Sequence, residues 1–69
     1  MNQIQIIGAI MLATSKTVID VAIENGYSKH TFYRVIKNES PSAAVRILIS
    51  DIIKKPVNEI WPDKIKEQS

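Results

Sequence analysis

Apolar residues recur three and four positions apart through most of the chain, a spacing that predicts short helices. From Asn2 to Ala13 the apolar side chains surround the axis at about 100° per residue, with Gln5 interrupting. A helix apolar on every side is either buried on most of them or touches something else. Ile4-Gln5-Ile6-Ile7 would also suit a strand, but nothing downstream offers a partner. Thr17 caps a second helix, and Asp20 three residues later supports the cap and the dipole. Val18, Val21 and Ala22 share its apolar face, with Ile19 and Ile23 beside them. Asn25-Gly26 ends it, glycine supplying the positive φ that a helix C-terminus commonly requires. Ser28 caps a third helix with the stripe Phe32, Val35 and Ile36 facing the core. Asn38-Glu39-Ser40 is the next break. Ser40 as cap and Pro41 as first helical residue predict a fourth helix. Ala44, Val45, Leu48, Ile49, Ile52 and Ile53 form its apolar side, and it closes at Lys54-Lys55. Pro56 opens a final turn over Val57 to Ile60, closed by Trp61-Pro62.

This pattern describes one all-α domain of four or five helices over residues 1–69, with its core from about 4 to 62 and a fraying polar tail over 63–69. At 69 residues the chain holds one small core and no second domain. Hydrophobic residues at 45% and charged residues at 23% match a folded domain rather than a disordered one. With no cysteine, disulfides, thiolate metal sites and cysteine nucleophiles are excluded. The one histidine, His30, excludes a metal site built on two imidazoles. The Thr17, Ser28 and Ser40 hydroxyls have no base near them in sequence, and the seven carboxylates are dispersed. Catalysis is therefore not expected, nor is a cofactor or a small-molecule substrate. No Lys or Arg precedes the N-terminal apolar run, whose roughly ten residues fall short of the ~20 of a membrane span. The expected setting is the cytoplasm, beside the nucleoid, without a membrane.

The segment from Val18 to Lys37 is the informative one. Two helices joined by a turn of about three residues cross steeply, and that crossing sets local demands. A small residue is needed where they approach, and Ala22 stands there. Glycine is needed four residues later, at Gly26, followed by an apolar seal, Tyr27. Phe32 and Val35 anchor the second helix of the pair, opposite Val21 and Ala22. These residues agree with a helix-turn-helix.

Charge points the same way. The whole chain carries a net charge of +2, yet Gly26 to Asn38 holds three cations plus His30 and no acid. In a major-groove helix, donors near the N-terminal end meet base edges and cations elsewhere meet phosphates. Arg34 suits guanine, since its guanidinium bonds O6 and N7 together. Lys29, His30 and Thr31 are further candidates for base contacts, and Tyr33, Lys37 and Asn38 for phosphates. The Ser28 side chain caps the helix while its backbone N–H faces a phosphate.

The chain resembles the Ner-type regulators of transposing bacteriophages and the Ner-like bacterial proteins, within the λ-repressor-like DNA-binding fold. The residues that carry the likeness are Val21-Ala22, Gly26-Tyr27 and Thr31-Phe32, then Lys55-Pro56 and Ile60-Trp61-Pro62, within a span from about Ile7 to Lys64. The tail is the more distinctive part, because many families share the helix-turn-helix. Asn25 departs from the pattern, standing where an apolar residue is expected before the turn glycine. Asp63 and Lys64 replace a serine and an arginine, and the first helix is far more apolar. The resemblance implies a sequence-specific regulator of transcription from a phage or prophage, acting on double-stranded DNA as a repressor by promoter occlusion.

A second class of function is a protein-interaction module or antirepressor that keeps the fold but binds another regulator. The all-round apolar first helix, and Ile47 on the polar side of the fourth, also suggest a homodimer through either helix. If the first helix is an interface, changing Ile6 and Ile10 to Gln disturbs association first.

Overall fold

The structure is a computed structural model, and it describes residues 1–62. These form five helices and no strand: α1 (Gln3–Thr14), α2 (Val18–Glu24), α3 (Lys29–Ile36), α4 (Ala43–Ile53) and α5 (Val57–Ile60). The predicted tail over 63–69, with Asp63 and Lys64, lies outside the described residues.

Each helix begins and ends for a local reason. Asn2 opens α1 with a reciprocal cap: its side-chain oxygen accepts from the Gln5 N–H at 2.8 Å, and the Gln5 side chain accepts from the Asn2 N–H at 2.9 Å. Ser15 ends it in the left-handed region at φ 58°, with its N–H on the Met11 carbonyl. The strand alternative for Ile4 to Ile7 is thereby overturned. Thr17 caps α2 as expected, its hydroxyl accepting from the Asp20 N–H at 3.1 Å. Between α1 and α2 the chain bends by 66°. Among the described residues no single helix is long and apolar enough to cross a membrane.

The start of α4 departs from the sequence expectation. Ser42, not Ser40, is the cap, with its hydroxyl 3.5 Å from the Val45 N–H, and Pro41 precedes the helix instead of opening it. Val45 and Ile49 are buried as expected, while Ala44, expected on the apolar side, is exposed. Lys54 ends α4 at φ 68°, and Pro56 precedes the single turn of α5 as expected.

Ile6 and Ile10 of α1, Val18, Val21 and Ala22 of α2, Phe32, Val35 and Ile36 of α3, and Val45 and Ile49 of α4 fill one core, which Ile60 and Trp61 close. Within it α1 packs against α2, α3 and α4, and α4 also packs against α5. Ile6 and Ile10 have no exposed surface, so the expectation that they serve association first is corrected: they hold the fold together. The surplus apolar surface of α1 lies on its other side, where Ile4 is 81% and Leu12 87% exposed. Tyr27 is only half-buried, with its ring tilted against Phe32 at 5.9 Å.

Candidate nucleic-acid interface

Whatever α3 meets, the turn from α2 decides how it is presented. Gly26 adopts φ +82°, and two hydrogen bonds wrap the end of α2 around it. The Tyr27 N–H donates to the Ala22 carbonyl at 2.9 Å and the Gly26 N–H to the Ile23 carbonyl at 3.0 Å. This pairing satisfies carbonyls that the helix leaves open at its end. Asn25 adds a third bond, its side-chain N–H donating to the Val21 carbonyl at 2.8 Å. Asn25, where an apolar residue was expected, thus serves as a polar cap.

Ser28 then restarts the chain as α3. Its hydroxyl accepts from the Thr31 N–H at 3.2 Å and lies 3.1 Å from the Thr31 hydroxyl. Phe32, Val35 and Ile36 are buried, which rotates the opposite side of the helix outward. His30, Arg34 and Lys37 stand on that side at i, i+4 and i+7, all exposed, with Lys29 exposed at the first turn. An eight-residue helix is about 12 Å long. The described ion pairs, Lys16–Glu24 at 2.8 Å and Lys55–Glu59 at 3.2 Å, leave the α3 cations out.

The remaining candidates are placed differently. Thr31 is half-buried and shares the Ser28 cap, so it is less open to a ligand than expected. Tyr33 is half-buried too and packs against the core, which corrects its expected place on the exposed face. Both flank the Phe32–Ile36 stripe on the helix circumference, between its buried and exposed sides. Asn38 is exposed in the left-handed region at φ 63°, and it ends α3 while its side-chain oxygen accepts a hydrogen bond from Arg46. Half of its side chain is therefore committed within the chain.

Arg46 is the residue that sequence reasoning missed. It is half-buried on α4, bonds Asn38, and places its guanidinium 5.3 Å from the centroid of the Trp61 ring. It ties the end of α3 to α4 and to the residue after α5. A lone cation in the otherwise uncharged first two turns of an apolar helix was the available signal.

Comparison with known protein families, curated proteins and solved structures finds no match for this chain. The described residues define a small all-α domain of five helices.

Proposed function

We propose that this chain is a sequence-specific DNA-binding regulator of transcription, with α2 and α3 as a helix-turn-helix and α3 as the major-groove helix. The observation that supports this reading best is the outward row of His30, Arg34 and Lys37, with Lys29 at the helix start. That side of α3 carries no carboxylate, and the major groove is about 12 Å wide, room for one helix. Arg34, at the centre of the row, is the guanine reader; Lys29 and His30 meet neighbouring bases, and Lys37 a phosphate. Ser28 acts through its backbone N–H, since its hydroxyl is held in the cap. On this reading Tyr33 and Asn38 set the position of α3 more than they touch the ligand. The residues shared with the Ner-type regulators favour a phage or prophage repressor that works by occluding a promoter in the bacterial cytoplasm, without catalysis.

The test is a binding selection on random-sequence duplex DNA, followed by titration of the enriched site at two salt concentrations. An enriched motif bound at least about a thousandfold more tightly than random DNA is expected. Affinity falls as salt rises, more steeply the more phosphates the bound chain neutralises. Changing Arg34 and Lys37 together to Ala weakens binding to that site at least about tenfold with no change in melting temperature. Binding unaffected by this pair overturns the role given to α3. No binding at low salt overturns the DNA reading as a whole and leaves the protein-interaction module.

A further inference from the structure

The outward side of α1 has no role in the fold or in the DNA reading, yet its composition is far from that of an ordinary solvated face. Ile4, Gly8, Met11, Leu12 and Ser15 fall within an arc of about 100°, opposite the buried Ile6 and Ile10. No charged side chain stands between Met1 and Ser15. Gly8 occupies the middle of this helix, where glycine is unfavourable. Nothing among the described residues accounts for it, because a Cβ at Gly8 would meet none of their atoms within 4 Å. Beside it lies an open groove of about 660 Å³, lined by Gly8, Met11 and Leu12 of α1 and by the segment Ser15 to Thr17 with Asp20.

We propose that this face is a homodimer interface in which two α1 helices cross antiparallel at Gly8. A two-fold interface must be self-complementary, each residue meeting the counterpart of its own partner position. Ile4 and Leu12 stand four residues to either side of Gly8, so an antiparallel crossing there sets Ile4 of one copy against Leu12 of the other, twice. Ile4 projects outside the groove, and Leu12 lines it, so each copy presents both a knob and a hole. Glycine at the crossing lets the two backbones approach.

Charge also favours a second copy over other occupants. Two uncharged helices meet without repulsion, and antiparallel packing sets the positive end of each dipole beside the negative end of the other. The charged residues lining the groove, Lys16 and Asp20, are opposite in sign, and Lys16 is held by Glu24. With its one cation, Lys16, paired to Glu24, the face offers an anionic lipid surface little attraction. Ile4, Met11 and Leu12 together remove about 200–300 Å² of apolar area per copy, below the roughly 600 Å² per partner at which stable specific interfaces begin. The dimer is therefore weak in free solution, with a Kd of roughly tens to hundreds of micromolar. No residue of α3 takes part in this contact, and it forms without DNA.

Sedimentation equilibrium of the full chain without DNA, from about 10 μM to 1 mM, reads the association directly. A monomer–dimer equilibrium is expected, with Ile4→Gln or Leu12→Gln raising Kd more than about tenfold at an unchanged melting temperature. Gly8→Ala raises the melting temperature of the monomer by roughly 5 °C yet weakens the dimer at least about fivefold. The chain has no cysteine of its own, so register is tested by oxidising a mixture of Ile4→Cys and Leu12→Cys copies. The mixed disulfide should form in preference to either like pair. A wild-type chain that stays monomeric at 1 mM overturns the interface, as does dissociation by Ile47→Gln on α4 with Ile4→Gln silent. Binding of the monomer to neutral phosphatidylcholine vesicles overturns it in favour of a lipid-facing helix.

Discussion

The chain contains two glycines, and alanine should move stability in opposite directions at them. At Gly26 the backbone is held at φ +82° with open space around the missing Cβ. Alanine there meets no neighbour, so the whole effect is the conformational cost of the left-handed region, about 1–2 kcal/mol. At Gly8 the backbone is helical and the space again open, so alanine gains its helix propensity, about 1 kcal/mol. The same methyl group should therefore separate the two variants by about 2–3 kcal/mol. At 4–8 °C per kcal/mol for a domain of this size, the melting temperatures should differ by roughly 10–20 °C, with the wild type between them. Thermal and urea unfolding, followed by far-UV circular dichroism at low micromolar concentration, measures this on the monomer. Asn at position 26 provides a further control, because it enters the left-handed region more readily than alanine. Equal stability of Gly26→Ala and the wild type would refute the reasoning. The turn into α3 would then not depend on a positive φ, and the presentation of the α3 face would need another cause.

Three further perturbations follow from the packing and the caps. Ile10→Gln places an amide in a fully buried position and should cost about 3–5 kcal/mol, enough to abolish the cooperative melt of a domain this small. Ser28→Ala removes the α3 cap and should cost about 1 kcal/mol by urea denaturation, with the first turn of α3 losing amide-exchange protection before the rest. Lys54→Gly relieves a non-glycine residue at φ 68° and should stabilise the chain by about 0.5–1 kcal/mol, read as an upward shift of the urea midpoint.

The legible part of the fold was the part encoded over three or four residues. Thr17 with Asp20, Asn25-Gly26 and Ser28 each act on a backbone group within one turn, and each stands where the sequence places it. The α4 cap was not legible, because Ser40 and Ser42 offer the same chemistry on either side of Pro41. Val45 and Ile49 face inward with either cap, so the apolar pattern does not choose between them. The face of α1 was hidden for a related reason: apolar residues on every side leave no polar stripe to show which side turns inward. On α3, the strong alternation of Phe32, Val35 and Ile36 with charged residues made Lys29, His30, Arg34 and Lys37 readable as exposed. Thr31 and Tyr33 border that stripe, and at a border position the pattern does not say how far a side chain is covered. The Asn38–Arg46 bond spans the break between α3 and α4, beyond the reach of any local pattern.

The Met1 ammonium donates to the Ile60 carbonyl at 2.8 Å and the Glu59 carbonyl at 3.3 Å, fastening the beginning of α1 to the end of α5. Residues about sixty positions apart in sequence are thus neighbours, and the helices form a ring rather than an open string. Such a ring is suited to circular permutation: in a chain of residues 1–62, a short glycine linker from Pro62 to Met1, with new ends opened between Glu39 and Pro41, would retain the five described helices. In that rearranged chain α4 and α5 would precede α1, and α3 would become the C-terminal helix. The contacts of α1 with α4, which now close over a long loop, would become local, and folding should accelerate as that loop shortens.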